Sequence, residues 1–111
     1  AMYTAKEFGI EPDQMNEILN SSSGKSWVSE CYTPAPTKFR NVPANNNYDI
    51  GYKSELVLKD LKLANGLFKS INMNSELGDR LESLYENLCQ QGMSKKDLGV
   101  YYKSLQERSS K

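Results

Sequence analysis

Apolar residues in this chain recur at steps of three and four positions, the spacing of one face of an α-helix. The longest series consists of Val57, Leu61, Ala64, Phe68 and Ile71, with a second row of Leu56, Leu63 and Leu67 beside it. This pattern predicts a long helix over 54–70. Two neighbouring apolar rows also predict that the helix is buried over much of its circumference.

Shorter periodic stretches, separated by breaks rich in glycine, proline and serine, predict the remaining helices. They cover 2–8, 12–20, 26–32, 75–91 and a last segment that opens at 94 and continues to 105. The loop 33–47 precedes the long helix. No segment alternates between apolar and polar residues in the manner of a strand. The sequence therefore predicts an all-α fold, a single domain over 1–111 with five to six helices.

Several local signals refine this picture. Gly66, inside the long helix, indicates a close contact with another helix. The run from Ser94 to Asp97 resembles a capping box that opens the last helix. Cys31 and Cys89 occupy apolar helix positions, which is typical of free, buried thiols.

Composition excludes several classes of function. Fourteen basic and fourteen acidic residues cancel, and no basic cluster indicates nucleic acid or an anionic membrane surface as a partner. The chain has no histidine and only two cysteines. Ser-His and Cys-His nucleophile pairs and the usual zinc ligand sets are therefore absent, and no metal site is predicted.

The run Gly24-Lys25-Ser26 ends like a phosphate-binding loop. That motif also needs a glycine at position 19, which is leucine here, and a strand before the loop. A turn between helices is therefore the predicted structure. The dinucleotide fingerprint Gly-x-Gly-x-x-Gly is absent from this segment.

The pair Lys59-Asp60 is the most informative feature of the long helix. Asp60 falls inside the second apolar row, where an aliphatic residue is expected, and a carboxylate there must have a partner or face a cavity. The residues alone leave two alternatives open. Asp60 favours the N-terminal half of the helix through its dipole, or the helix start forms an edge that binds an anion or cofactor.

Five segments of the chain resemble the C-terminal helical domain of the β-hydroxyacid dehydrogenases. They are 18–27 (ILNSSSGKSW), 32–36 (YTPAP), 42–48 (VPANNNY), 56–64 (LVLKDLKLA) and 92–97 (GMSKKD). The fourth is common to the wider family. The first and third are similar to its hydroxyisobutyrate branch. The resemblance covers about residues 2–107 and implies an all-α fold like the C-terminal domain of 6-phosphogluconate dehydrogenase.

In that family an N-terminal Rossmann domain binds NAD(P), and the active site lies between it and the helical domain. The resemblance implies NAD-dependent oxidation of 3-hydroxyisobutyrate to methylmalonate semialdehyde, a step of valine catabolism, with this chain as the substrate and oligomerisation domain. Two alternatives remain open. One is a related reductase acting on tartronate semialdehyde, glyoxylate or succinic semialdehyde, and the other is a non-catalytic helical interaction module.

The resemblance also assigns roles to individual residues. Lys59 resembles a lysine that reaches the bound dinucleotide, so it is the expected cofactor-binding residue for NAD. Asp60 resembles a carboxylate placed at the active site. Tyr52 stands where the family usually has a phenylalanine that lines the substrate pocket, and Trp27 resembles a wall residue of the same cleft.

No catalytic residue is expected in this chain. Gly92 and Lys96 have the spacing of the family's catalytic lysine motif, but position 99 is glycine where that motif has asparagine. In the family that motif also lies upstream of the stretch that this chain resembles. Because the chain begins in helix-forming sequence without an initiator methionine, we expect it to be part of a longer protein and inactive alone.

The expected partners are a small hydroxy-acid substrate and further copies of the chain, as a homodimer or homotetramer. No nucleic acid or membrane partner is expected. Apolar surface for self-association is predicted around Met2, Tyr3 and Phe8. By resemblance, the compartment is mitochondrial in a eukaryote and cytoplasmic in a bacterium.

Overall fold

The computed structural model describes residues 1–110, and Lys111, the last residue of the predicted domain 1–111, lies outside the described residues. Residues 1–110 form six α-helices: α1 (Met2–Glu7), α2 (Pro12–Asn20), α3 (Trp27–Cys31), α4 (Ser54–Ser70), α5 (Glu76–Leu88) and α6 (Val100–Ser109). A 3₁₀ turn covers Pro43–Asn46, and a π turn covers Cys89–Met93. Within this range, strand-like pairing is limited to one isolated bridge, Lys53 to Asp97. The predicted all-α fold is confirmed.

Capping residues in the N-terminal part of the chain explain where α1 ends and where α3 begins. Gly9 has a φ of +85°, and the amide of Ile10 donates to the Ala5 carbonyl at 3.0 Å, which closes α1. At the start of α3, Ser26 and Ser29 form reciprocal bonds of 3.1 and 2.8 Å between side chain and backbone amide. The serine of Gly24-Lys25-Ser26 therefore caps a helix, in agreement with the predicted turn.

α4 and α5 pack side by side through polar groups. Asn65 is buried, and its Nδ2 donates to Glu82 Oε2 at 2.7 Å. A Cβ at Gly78 of α5 would overlap Asn65 Oδ1 and Ser75 Oγ, so the close approach of the two helices requires glycine there. The predicted close contact at Gly66 is wrong, because a Cβ at that position would meet no described neighbour within 4 Å.

The predicted burial of α4 is also wrong within the described residues. Ser54 and Asn65 are its buried residues, whereas Leu63 and Leu67 are 63% and 70% exposed. The reason is that α5 and the adjoining π turn cover one side of α4, and the apolar rows extend beyond that side. Ile71 and Leu77, at the far end of the pair, are exposed as well.

Two apolar clusters form the interior. One contains Val42, Ala44, Tyr48, Leu88 and Val100. The other contains Met2, Ala35 and Tyr102. Because loop 33–47 contributes to both clusters, it is a wrapping segment that holds the helices together.

Two predictions about single side chains are wrong in part. Cys31 is exposed and Cys89 is half-buried, and both are free thiols. Met2 is buried and Tyr3 is half-buried, whereas Phe8, just after α1, is 84% exposed, so the apolar surface predicted around these three residues is confined mainly to Phe8. No helix in residues 1–110 has the length and apolar character needed to cross a membrane.

Candidate functional site

The start of α4 is fixed by hydrogen bonds to the segment before α6. The amide of Ser54 donates to the Lys96 carbonyl at 2.8 Å, and the amide of Leu98 donates to the Tyr52 carbonyl at 2.8 Å. The amide of Asp97 donates to the Tyr48 carbonyl at 2.8 Å. Segments 48–54 and 96–98 therefore lie side by side, which holds the N-terminus of α4 against the segment before α6.

Three of the predicted site residues meet at this helix start. The Tyr52 hydroxyl donates a hydrogen bond to Asp60 Oδ2, and Lys59 Nζ lies 3.1 Å from Asp60 Oδ1. The side chain of Asp60 is 52% exposed and that of Lys59 is 61% exposed. Asp60 therefore has two partners at an open surface, which explains how a carboxylate is tolerated in an apolar row.

These contacts determine the charge state of the group. The hydrogen bond from Tyr52, and secondarily the one from Lys59, holds the pKa of Asp60 below its ordinary value. The same bond to Asp60 raises the pKa of Tyr52. Asp60 is therefore ionised at neutral pH, and the Lys59 ammonium, which has three N–H donors, retains capacity to bind a further anion.

Trp27 joins this group through Tyr32. Its indole is 67% exposed and stacks on the Tyr32 ring, with centroids 5.7 Å apart and an interplanar angle of 21°. The Tyr32 hydroxyl donates to Asp97 Oδ2 at 2.6 Å and accepts from the Tyr52 amide at 3.2 Å. Burial, and then the bond to Asp97, raise the pKa of Tyr32. We call Trp27, Tyr52, Lys59 and Asp60 the candidate edge.

Sequence reasoning missed the residues that connect the candidate edge, Tyr32 and Asp97. Asp97 was predicted to close a capping box on Ser94, but it is 3% exposed and its Oδ1 accepts from the Gly99 amide at 2.8 Å. The helix therefore begins at Val100, several residues later than predicted. Gly51 is the residue in the sequence that could have indicated this arrangement, because a turn glycine beside Tyr52 indicates close backbone approach.

The candidate edge is open and does not line an enclosed pocket. A shallow cavity of about 410 Å³ lies on α4 and is lined by Glu55, Leu58, Lys59, Lys62 and Leu63. A larger cavity of about 650 Å³ and a smaller one of about 350 Å³ lie elsewhere in the fold, and neither is lined by Trp27, Tyr52 or Asp60. A small ligand at the candidate edge would therefore need a second surface to enclose it.

Lys96 and potential metal ligands lie outside this arrangement. Lys96 forms an ion pair with Asp49 and donates to the Asn47 carbonyl at 3.2 Å, so its ammonium has partners of its own. Across residues 1–110, no three His, Cys, Asp or Glu side chains are grouped so that they could hold a metal ion.

The fold and the candidate edge define a class of protein: a helical domain that presents a lysine, a carboxylate and two aromatic rings at exposed positions. The chain belongs to the family described as NAD-binding of NADP-dependent 3-hydroxyisobutyrate dehydrogenase, whose model matches residues 1–105. This membership confirms the resemblance drawn from the five sequence segments and places the chain in an NAD-binding oxidoreductase family.

Individual relatives agree with the family assignment. A mitochondrial 3-hydroxyisobutyrate dehydrogenase of Drosophila melanogaster is 39% identical over 102 residues, which are 92% of this chain and 32% of the relative. The human mitochondrial 3-hydroxyisobutyrate dehydrogenase is 36% identical over 110 residues, which are 99% of this chain and 33% of the relative. The chain thus spans about a third of the length of these relatives.

A solved structure has the same fold. The 3-hydroxyisobutyrate dehydrogenase of Mycobacterium tuberculosis, solved with L-serine, superimposes with a TM-score of 0.86 over 94% of this chain and 35% of its own. The sequences are 21% identical, so this likeness establishes the fold alone.

Proposed function

We propose that this chain is the C-terminal helical domain of an NAD-dependent 3-hydroxyisobutyrate dehydrogenase. The parent protein would oxidise 3-hydroxyisobutyrate to methylmalonate semialdehyde in valine catabolism. The observation that carries this proposal is the candidate edge, in which Asp60 contacts Lys59 and Tyr52, and Trp27 is linked to Tyr52 through Tyr32, in a chain of this family. The Rossmann domain and the catalytic lysine are assigned to the part of the parent outside this chain.

Each residue of the candidate edge has a role in the proposed site that follows from its chemistry. The Lys59 ammonium, near the N-terminus of α4, provides positive charge for the dinucleotide, and Asp60 orients that ammonium through their ion pair. The rings of Tyr52 and Trp27 form an apolar wall that excludes water and orients a small hydroxy acid. A bound nicotinamide would supply the acceptor for the hydride that leaves the substrate carbon.

The openness of the candidate edge supports a two-domain site. Trp27 is 67% exposed and Tyr52 is 40% exposed, although aromatic side chains at a catalytic cleft are normally covered when substrate is bound. A dinucleotide-binding domain lying against this side would cover both rings. The choice of NAD over NADP rests on the family, since no cofactor 2′-OH reader is assigned in this chain.

Two assays test the proposal. The 111-residue chain alone is expected to produce no NADH from 3-hydroxyisobutyrate and NAD⁺. The full-length protein is expected to show its highest kcat/KM with that pair when compared with glycerate, glycolate and 4-hydroxybutyrate, each with NAD⁺ and NADP⁺. Preference for another acid would indicate the related reductase, and no turnover with any acid would indicate the interaction module. NADH formation by the chain alone would contradict the division between domains.

We also propose that the protein assembles as a homodimer or homotetramer. The support is the exposed apolar surface of the α4–α5 pair, where Leu63, Leu67, Ile71 and Leu77 are 63%, 70%, 63% and 81% exposed. Light scattering of the chain at high concentration should give a mass of at least a dimer, and Leu67→Lys should lower it. A monomer at every concentration would contradict the assembly.

The proposed compartment follows the relatives. The Drosophila and human relatives are named mitochondrial, so we propose mitochondrial residence if the source is a eukaryote and cytoplasmic residence if it is a bacterium. Imaging the full-length protein with a fluorescent tag in its own cell type tests this. Residence in another compartment would contradict it.

A further inference from the structure

Asp97 is a buried carboxylate between two parts of the candidate edge. It is 3% exposed, and none of the ion pairs among residues 1–110 includes it. An ionised carboxylate without a cation must be stabilised by hydrogen-bond donors if it is to be buried. The neighbours of Asp97 supply these donors.

Three donors from three separate segments converge on this side chain. Asp97 Oδ2 accepts from the Tyr32 hydroxyl at 2.6 Å and from the Tyr52 amide at 2.9 Å, and Oδ1 accepts from the Gly99 amide at 2.8 Å. Because an ionised carboxylate only accepts, it suits this set of donors. One side chain thus connects the end of α3, the start of α4 and the turn before α6.

The backbone leaves room for this arrangement at Gly51. Its φ is +128°, and a Cβ there would overlap Asp97 Oδ2 and lie 2.6 Å from the Tyr32 hydroxyl. Only glycine combines this conformation with so close an approach. The turn before α4 is therefore shaped around the pair of Tyr32 and Asp97.

We propose that Asp97 is a positioning residue that sets Trp27 and Tyr52 relative to each other. It holds the Tyr32 hydroxyl, and the Tyr32 ring in turn supports the Trp27 indole. It also holds the backbone of Tyr52, whose hydroxyl reaches Asp60. The value of this arrangement for substrate binding rests on the proposed dehydrogenase function, but the positioning itself can be measured in the 111-residue chain.

Asp97→Ala tests the proposal, because it removes both carboxylate oxygens and with them the bonds from the Tyr32 hydroxyl, the Tyr52 amide and the Gly99 amide. Trp27 is the only tryptophan in the sequence, so its near-ultraviolet circular dichroism and its NOEs to the Tyr32 ring report the stack. We expect both signals to be lost while the far-ultraviolet spectrum remains helical.

Two further variants complete the test. Asp49→Asn removes an exposed carboxylate from the same turn, with a side chain that is 64% exposed, and should leave the Trp27 signals unchanged. Tyr32→Phe removes only the hydroxyl that Asp97 holds and should reproduce their loss, with no further loss when Asp97→Ala is added. This variant decides the question if Asp97→Ala does not fold. Unchanged Trp27 signals in folded Asp97→Ala or in Tyr32→Phe would overturn the proposal.

A kinetic measurement separates this proposal from the dehydrogenase assignment. In the full-length protein, Asp97→Ala should raise KM for the hydroxy acid by a larger factor than it lowers kcat, because the walls of the site are displaced. If the Trp27 signals are lost and both constants stay unchanged, the proposed substrate site is wrong and the positioning effect remains.

Discussion

The junction around Asp97, where segments 48–54 and 96–98 meet, buries polar side chains, whereas the far end of the α4–α5 pair exposes apolar side chains. At the junction, Asp97 and Ser54 are 3% and 0% exposed, and both are hydrogen-bonded within the chain. At the far end of the pair, Leu67 and Leu77 are 70% and 81% exposed. The junction thus pairs these buried polar groups internally, whereas the far end of the helix pair leaves apolar surface open. This difference is expected because an unpaired buried polar group is costly, whereas apolar surface can be covered by another domain or subunit.

Substitutions at the two ends of α5 should show the largest difference in the free energy of unfolding between these two regions. Leu88 is fully buried in the cluster with Val42, Tyr48 and Val100, so Leu88→Ala should lower the free energy of unfolding by about 2–5 kcal/mol. Leu77→Ala, the same change on the same helix at an exposed position, should alter it by less than about 0.5 kcal/mol. Urea unfolding of the monomer measures both. Equal losses would mean that the far end of α5 is packed after all.

The two glycines of the pair should respond with opposite signs. Gly78→Ala places a methyl group against Asn65 and Ser75, and such overpacking should cost about 1–3 kcal/mol. Gly66→Ala meets no described neighbour within 4 Å and should stabilise the helix by about 0.5–1 kcal/mol. Thermal unfolding of both variants measures these two changes in stability. Destabilisation by Gly66→Ala would restore the helix contact predicted from sequence.

Tyr52→Phe should have a small effect that depends on pH. Because the pKa of folded Asp60 is lowered, the stabilisation from its bonds is fully present above the unfolded pKa of about 3.9 and is lost as the pH falls through the folded value. The variant should raise the pKa of Asp60 in a carboxyl NMR titration and lose stability relative to wild type only above about pH 4. Tyr101→Phe, on α6, serves as the control. An unchanged Asp60 titration in Tyr52→Phe would contradict the claim that the Tyr52 hydroxyl lowers the pKa of Asp60.

The boundaries of α4 could be predicted from sequence, but its burial could not. The periodic apolar positions and the preceding glycine turn place the helix at Ser54–Ser70, as observed. Burial depends on which surface covers the apolar rows, and within residues 1–110 only one side of α4 is covered. A hydrophobic pattern records that a face can be buried, not whether the same chain buries it.

The candidate edge shows a similar division. The resemblance to a family indicates Lys59, Asp60, Tyr52 and Trp27 as site residues, whereas periodicity alone indicates only an unusual aspartate in an apolar row. Asp97 was misplaced because the pattern from Ser94 to Asp97 is local, whereas its partners Tyr32 and Tyr52 lie 65 and 45 residues away. Contacts at such separations leave no periodic trace in a single sequence.

The central claim is that this domain supplies a cation to a dinucleotide through Lys59. Steady-state kinetics of full-length Lys59→Ala against Lys62→Ala tests it most directly. Both are exposed lysines on α4, but Lys59 pairs with Asp60 at the candidate edge, whereas Lys62 pairs with Glu86 of α5. Loss of one charge-assisted hydrogen bond should raise KM for NAD⁺ about tenfold in Lys59→Ala and leave it unchanged in Lys62→Ala. Equal KM values in wild type and both variants would contradict the claim.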